Sequence, residues 1–178
     1  MIKKFELDLS SKITVFGIEL FRIKALISFS DVEKGELGGY VEKEENLSHS
    51  GNARVYDDAR VSGNARVSGN AWVSGNARVS GDAWVYDDAR VSGNAWVYGN
   101  AWVSGNARVS KLNDYIVFKN NWSSGRYFTY TRSNKMWRVG CFYGTGEELI
   151  KRAYQDSKDS GKHYEAYVNL VKTLEQEE

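Results

Sequence analysis

Alanine and valine recur at a strict six-residue interval through the middle of the chain. From Gly51 to Ser110 ten hexads follow one another without insertion, each with Ala in third place and Val in fifth. Residues two apart lie on the same side of a strand, so Ala and Val face one way and the Arg or Trp between them faces the other. A Gly-Asn, Gly-Asp or Asp-Asp pair opens each hexad and favours a tight turn. Each hexad therefore predicts a short strand with a small, aliphatic inner face, followed by a corner.

Two other structures for this segment fit the pattern poorly. A period of six does not keep one face of a 3.6-residue helix, and ten evenly spaced Gly or Asp residues would disfavour a helix strongly. A flexible, disordered segment has no reason to keep Val and Ala in a fixed register. The pattern thus favours a repetitive β structure.

The spacing of aliphatic and small residues also matches a known repeat. Val55 is followed four places later by Ala59, and the same step recurs as far as Val103 and Ala107. This resembles the hexapeptide repeat of left-handed parallel β-helices, although here Ser or Tyr follows the Val where that family has Gly, and Gly comes one place later. The resemblance implies three hexads in each triangular coil and coils about 4.8 Å apart.

If hexads three apart stack, the outward Arg and Trp side chains form three rows. The first row holds Arg54, Trp72, Arg90 and Arg108, the second holds Arg60, Arg78 and Trp96, and the third holds Arg66, Trp84 and Trp102. A guanidinium lying over an indole stabilises by about 0.5–1 kcal/mol at an exposed site. The corner residues Asn52, Asn70, Asp88 and Asn106 should form a column likewise. The three Tyr residues of the repeats fall on three different faces.

Shorter β-prone runs precede the repeats. The apolar stretches 13–16 and 20–23, separated by Gly17, predict a small hairpin that caps the open end of the solenoid. The segment 38–50 predicts an irregular lead-in coil, with Leu47 in the place of Ala and His49 in the place of Val. The N-terminal cap is assigned to residues 1–44 and the solenoid to residues 45–110.

The composition changes abruptly after Ser110 and indicates a different module over residues 111–178. Segments 115–118, 127–130 and 136–139 predict three strands joined by Asn, Ser and Gly turns. A capping box over 145–148 should start a helix running to about residue 157. A second helix follows, with one face formed by Tyr164, Tyr167, Val168, Val171 and Leu174. The fold class is therefore mainly β: a left-handed parallel β-helix with an N-terminal β cap and a C-terminal α+β module of three strands and two helices.

The flanks carry a further resemblance. The motifs LFRIKAL (20–26), LGGYV (37–41) and ENLS (45–48) resemble the opening of a family of phage and prophage hexapeptide-repeat proteins, and VGCF (139–142), GT (144–145) and EE (147–148) resemble its closing module. The resemblance covers nearly the whole chain. It implies a phage-related β-helix protein, and it supplies no catalytic residues to carry over.

Composition and charge exclude several classes of protein. The 24 basic and 23 acidic residues give a net charge of +1, whereas a general nucleic-acid or membrane-surface binder carries a larger basic excess. The single cysteine, Cys141, excludes an internal disulfide framework and a cysteine-rich zinc site. The first ten residues lack the apolar segment of a secretory signal. We expect a soluble protein of the cytoplasm, which is the host cytoplasm if a phage encodes it.

Catalytic and metal chemistry find little support. Acyltransferases of this architecture use a histidine base, but only His49 and His163 exist and neither lies within the repeats or has an obvious partner. The paired carboxylates Asp57-Asp58 and Asp87-Asp88 are five hexads apart and fall on different faces, so solvated corners are the simpler interpretation. Cys141 alternates with Trp137 and Val139, which predicts a thiol in the core. No cofactor and no metal site are predicted.

The Arg and Trp rows are the candidate site. In a purely structural interpretation, the stacked Arg and Trp side chains only stiffen the solenoid. In a functional interpretation they form a protein-binding surface, since Trp, Tyr and Arg are enriched at binding hot spots. All ten row residues are candidate protein-binding residues, with a host or phage protein or a second copy of the chain as partner. The predicted function is a non-enzymatic phage-type interaction protein that engages and inhibits a host defence protein. The alternatives are an acyltransferase-like enzyme, or a binder of single-stranded nucleic acid or sugar through the same rows. With six Arg against five Asp, the repeats suit phosphate contacts poorly.

Overall fold

The computed structural model describes residues 2–176 and divides the chain into two compact units, Met1–Asp114 and Tyr115–Glu178. Each unit has its own sheet system. The N-terminal hairpin and the repeats belong to the first unit, and the α+β module is the second.

The first unit begins with three longer strands, β1 (Phe5–Val15), β2 (Ile18–Ala25) and β3 (Leu37–Val41). Ten two-residue strands follow at six-residue intervals, one from each hexad. They are β4 (Arg54–Val55), β5 (Arg60–Val61), β6 (Arg66–Val67), β7 (Trp72–Val73), β8 (Arg78–Val79), β9 (Trp84–Val85), β10 (Arg90–Val91), β11 (Trp96–Val97), β12 (Trp102–Val103) and β13 (Arg108–Val109).

Hexads three apart stack in parallel, as predicted. Arg54 pairs with Trp72 and Val55 with Val73, and the same offset of 18 residues holds through the repeats. Three sheets result, with strand orders β1-β2-β3-β5-β8-β11, β4-β7-β10-β13 and β6-β9-β12. The prediction of a mainly β fold built on a parallel β-solenoid is confirmed, with an antiparallel sheet and helices at the C-terminal end of the chain.

The interior of the solenoid holds the Ala and Val of every hexad. All ten Ala and all ten Val residues are buried. A narrow interior needs a small side chain next to a branched one, and the alternation of a strand sends the intervening Arg or Trp outward. At the corners the backbone takes positive φ, for example +69° at Gly51, where an added Cβ would lie 2.5 Å from the Gly69 oxygen. Glycine is therefore required at this corner by both conformation and space.

Corner amides are linked from coil to coil. The Asn52 amide donates to Asn70 Oδ1 at 3.2 Å, and the Asn70 amide donates to Asp88 Oδ1 at 3.0 Å. The predicted corner column is therefore present from Asn52 to Asp88. A second corner repeats the pattern from Asn64 to Asp82 at 3.1 Å. These chains of side-chain bonds run parallel to the backbone ladder and hold the coils in register.

The lead-in coil is out of step with the repeats by two residues. Tyr40 pairs with Arg60 and Leu47 with Val67, an offset of 20 instead of 18. Leu47 thus fills a Val position, and the prediction that it occupies the Ala position is wrong. The two additional residues lie between Leu47 and Arg54. His49 consequently lies in this insertion, and its predicted inward Val position is also wrong.

Two buried polar side chains close the N-terminal end of the solenoid. In later coils each Ala carbonyl accepts a backbone bond from the coil before, as Ala71 O does from Arg54 N. For the first coil the Lys4 ammonium donates instead to Ala53 O at 2.8 Å and to Gly51 O at 3.3 Å. Burial, together with the nearby positive charge of Arg54, lowers the pKa of Lys4 to about 8.

The second of these side chains is Asn46, which is fully buried. Its amide donates to Gly63 O at 3.1 Å and to Ala65 O at 2.8 Å. The carbonyls of the first coil therefore meet side-chain donors where the preceding backbone is missing. Such donors prevent the exposed edge from pairing with another chain.

The second unit is a four-stranded antiparallel sheet with two helices. The strands are β14 (Tyr115–Lys119), β15 (Tyr127–Thr131), β16 (Met136–Val139) and β17 (Phe142–Gly144), in that spatial order, and the helices are α1 (Gly146–Asp156) and α2 (Lys158–Gln176). Thr145 caps α1 and Glu148 completes the predicted capping box. The strand β17 was not predicted, because three residues after a turn give too short a pattern.

The core of this unit is aromatic. Phe128, Trp137, Leu149, Tyr164 and Val168 are buried together between the sheet and the helices. One sequence prediction is wrong here. Cys141 lies exposed in the turn between β16 and β17, because the strand ends at Val139 and the alternation does not reach it. Leu174 lies within α2 at the predicted spacing, but it is exposed near the end of the helix, beyond the cluster that buries Tyr164 and Val168.

Within residues 2–176, neither helix is long and apolar enough to cross a membrane.

Candidate protein-binding surface

The ten predicted row residues lie on three separate faces and do not form one site. Their stacking follows the 18-residue offset in every row, so the predicted rows are present. The rows differ in how much aromatic surface they leave open. This difference separates residues that stabilise the solenoid from residues available to a partner.

On the first face Trp72 is enclosed by its own row. The Arg54 guanidinium lies 4.7 Å from the Trp72 ring centre on one side and that of Arg90 lies 5.4 Å from it on the other. Tyr56 packs edge-on against the same indole, with ring centres 6.2 Å apart. Asp31 pairs with Arg54 at 3.0 Å. Because both faces of the indole are covered, this part of the row stabilises the solenoid and offers no open ring face to a partner.

The third face presents a pair of stacked tryptophans. The indoles of Trp84 and Trp102 lie nearly parallel, at 9°, with centres 5.1 Å apart. Arg66 lies over Trp84 at 5.6 Å, and Tyr86 packs edge-on against Trp84 at 6.4 Å. Trp84 nevertheless remains 38% exposed. The outer edges of the stack therefore form a rigid, amphipathic ridge.

An open groove of about 730 Å³ runs beside this ridge. It is lined by Glu44, Glu45, Leu47, Ser48, His49, Arg66, Val67, Ser68 and Trp84. The pKa of Glu44 lies below its usual range, because His49 and Lys3 hydrogen-bond to its carboxylate. The lining of the groove thus combines carboxylates, a guanidinium and an indole. Such a mixture suits a polypeptide better than a uniformly charged polymer.

The second face carries a larger aromatic surface, in which Tyr98 and Phe16 join the predicted Arg78 and Trp96. Arg78 lies over Trp96 at 5.1 Å, and Tyr98 packs edge-on against Trp96 at 6.4 Å. Trp96 is 42% exposed and Tyr98 57%. The tip of the hairpin between β1 and β2 adds Phe16, which is 91% exposed at a φ of +51°.

Phe16 and Trp96 flank the same small groove, of about 190 Å³. Ile18, 40% exposed, also lines it. Only the fold brings the hairpin tip to the second row, so the neighbourhood of these residues is not visible in the sequence. One signal was available: Phe16 precedes Gly17 in a turn, where a bulky apolar side chain is unusual.

His49 has partners on both ring nitrogens, contrary to the prediction. Nδ1 accepts a bond from the Lys4 backbone N–H at 3.1 Å, and Nε2 lies 2.7 Å from Glu44 Oε1. Because Nδ1 is an acceptor, the proton lies on Nε2 and is donated to Glu44. The ring also stacks on Phe5 at 4.3 Å. His49 therefore fastens the N-terminal strand to the lead-in coil and has no free lone pair for general-base catalysis.

In each of the two Asp-Asp pairs, the first carboxylate has a structural role. Asp57 and Asp87 adopt φ of +53° and +58°, the corner conformation that glycine takes elsewhere. Asp57 Oδ2 accepts from Gly75 N at 2.9 Å, and Asp87 Oδ2 accepts from Gly105 N at 3.2 Å. These carboxylates are exposed corner residues in place of Gly, as predicted, and each also bonds to the following coil. In the part of the chain that the structure covers, no three His, Cys, Asp or Glu side chains gather as metal ligands would.

Comparison with known proteins agrees with this architecture. The family described as YdcK Beta solenoid repeat matches residues 59–75, 71–87, 83–99 and 89–105, which together cover roughly a quarter of the chain. A search of curated proteins finds none that matches. The matched segments all lie within the ten hexads that form the solenoid. The chain is thus a β-solenoid repeat protein whose repeats are similar to the YdcK β-solenoid repeat.

Proposed function

We propose that this chain is a non-enzymatic interaction protein that binds a protein partner through the exposed tryptophans of the solenoid. The observation that carries the proposal is the stack of Trp84 and Trp102 on the third face, held by Arg66 beside an open groove. Rigid indoles at a polar rim are typical of binding hot spots, because their ordering before binding lowers the entropy lost on association.

The second face extends the proposed surface. Trp96, Tyr98 and Phe16 are neighbouring exposed aromatic side chains, and exposed apolar clusters of this kind mark interaction sites. A second copy of the chain or a foreign protein would cover them. The first face contributes less, since Trp72 is enclosed between two arginines.

The biological setting of the proposal comes from the resemblance of the flanks. We assign the chain to the phage-type hexapeptide-repeat proteins, acting in the cytoplasm of the host cell and inhibiting a host defence protein. Self-association through the solenoid surface would present several copies of the groove at once. Multivalent presentation raises the apparent affinity without new contacts.

Binding in place of catalysis is supported by His49. Both of its ring nitrogens are engaged, by Lys4 and by Glu44, so it lacks the free lone pair of a general base. Acyl-coenzyme A should accordingly leave the melting temperature of the protein unchanged. A clear rise in melting temperature, together with an acyl-transfer activity that His49→Ala removes, would refute the non-enzymatic assignment.

The test of the binding surface is a double variant, Trp84→Ala with Trp102→Ala. We expect it to lose capture of partner protein from host lysate, or to lose self-association in sedimentation velocity, while its circular dichroism spectrum persists. The matched control is Trp72→Ala, which removes an enclosed indole from the same solenoid. Retained capture and self-association in the double variant, or an equal loss in the control, would contradict the proposal.

A further inference from the structure

The loop between β14 and β15 is held in one conformation by its own hydrogen bonds. Asn120 is fully buried, and its side-chain oxygen accepts from the backbone N–H groups of Trp122 at 3.1 Å and Ser123 at 3.2 Å. Its amide donates to Ser123 Oγ at 2.8 Å. Backbone bonds from Asn120 N to Arg126 O and from Gly125 N to Asn120 O close the loop. The loop is therefore organised before any partner arrives.

This loop displays a single indole to solvent. Trp122 is 76% exposed, whereas Trp137 in the core of the same unit is 2% exposed. An aromatic side chain on a preorganised loop binds with little loss of backbone entropy. Nothing in the hydrogen-bond pattern of the loop uses the indole ring. Its exposed position is thus unexplained by the stability of the unit.

The charged residues of the sheet segment are all basic. Residues 115–144, which form the sheet, include five basic and no acidic residues, namely Lys119, Arg126, Arg132, Lys135 and Arg138. Every acidic residue of the second unit lies after Gly146. The Lys119 ammonium lies 5.3 Å from the ring centre of Tyr127, which is also exposed. Lys119 and Tyr127 are register partners at the two ends of the loop.

We propose that this end of the sheet binds single-stranded nucleic acid. The indole of Trp122 and the ring of Tyr127 stack on bases, and Lys119 and Arg126 contact phosphates. Basic groups that alternate with exposed aromatic rings are the features by which proteins bind single strands. A protruding indole reaches the face of a base only where the base is unstacked, which excludes an intact duplex. The repeats, with their near-balanced charge, do not share this character.

The test measures the anisotropy of a labelled oligothymidylate of about 15 nucleotides at about 50 mM salt. Trp122→Ala should weaken binding between about fivefold and about a hundredfold. Lys119→Gln and Arg126→Gln should each lower the slope of log affinity against log salt by roughly 0.7. Lys172→Gln removes an exposed charge of α2 and should bind like the unchanged chain.

Several outcomes would overturn the inference. One is unchanged affinity in Trp122→Ala, or equal binding of duplex and single strand, since either would leave only unspecific attraction of charges. Another is Trp122-dependent binding to vesicles of phosphatidylglycerol and phosphatidylcholine without oligonucleotide binding, which would assign the loop to a membrane surface. The protein-binding function of the solenoid is tested separately, because its double variant leaves Trp122 in place.

Discussion

Lys4 is a buried amine whose removal tests how the end of the solenoid is closed. Its ammonium donates to Ala53 O and Gly51 O and lies 4.4 Å from the ring centre of Phe29. Lys4→Met keeps the length of the side chain, removes the donors and removes the buried charge. At neutral pH the loss of donors destabilises and the loss of the charge stabilises, so we expect a small net change.

The informative quantity is the dependence of this change on pH. The Lys4 amine has a pKa of 10.5 in the unfolded chain and about 8 in the folded protein. Below pH 8 both states are protonated and the folded state bears the buried charge in full. Between pH 8 and 10.5 the folded state has lost the proton and the unfolded state has kept it, so stability rises with pH. From about pH 7 to about pH 9.5 the rise amounts to about 2 kcal/mol.

Denaturant unfolding followed by circular dichroism measures the effect at both pH values. Between the lower and the higher pH, the free energy of unfolding should rise by about 2 kcal/mol more in the unchanged chain than in Lys4→Met. Burial, followed by the charges of Asp31 and Glu36, raises the pKa of Tyr56 to about 12. Unfolded tyrosine ionises near pH 10 and would then lower stability, so the series stops short of that pH.

Lys24→Met, which removes an exposed amine from β2, is the control for the loss of a positive charge. This variant keeps Lys4, so its stability should rise with pH as that of the unchanged chain does. An equal rise of stability with pH in Lys4→Met would show that the amine does not titrate as a buried group. Such a result would refute the closure of this end of the solenoid by the Lys4 ammonium.

Three further changes test other parts of the fold by denaturant unfolding. Val73→Ala removes two buried methyl groups from the narrow interior and should lower the free energy of unfolding by about 2–3 kcal/mol, whereas an effect near zero would contradict the close packing. Asp57→Ala keeps a side chain at the left-handed corner and loses the bond to Gly75, so it should lower the free energy of unfolding by about 1–2 kcal/mol. Asp57→Gly loses the same bond but adopts the positive φ without strain, so its effect should be smaller. Thr145→Ala removes the N-cap of α1 and should lower the free energy of unfolding by about 1 kcal/mol. Thr173→Ala, at an exposed position inside α2, is the control and should leave the free energy of unfolding unchanged.

The repeats were predictable because three independent constraints coincide in each hexad. Ala and Val fix the inner face, Gly or Asp fixes the corner, and the residue between Ala and Val is left to face outward. The lead-in coil shows the limit of such counting. A strict six-residue count from Ala53 and Val55 places Leu47 and His49 at Ala and Val positions, whereas two additional residues before Arg54 displace both. An insertion of two keeps the alternation of a strand, so the pattern itself gives no sign of it.

The residues that close the end and extend the surface depend on tertiary structure. Lys4 and Asn46 are unremarkable polar residues in the sequence, and their role arises only because the fold leaves backbone carbonyls without the preceding coil. Phe16 reaches Trp96 only through the path of the hairpin. The rows themselves were predicted correctly, but the enclosure of Trp72 was not. It follows from the particular order of Arg and Trp along the first row.

The 18-residue offset makes one whole coil the natural unit of change in this gene. Duplication or excision of 18 residues returns each later arginine and tryptophan to its former face and leaves the Lys4 and Asn46 closure untouched. Insertion or deletion of six residues would instead move every later side chain to the neighbouring sheet and alter the order of Arg and Trp on all three faces. Recombination between near-identical hexads can therefore lengthen or shorten the ridge, provided that it acts in multiples of three.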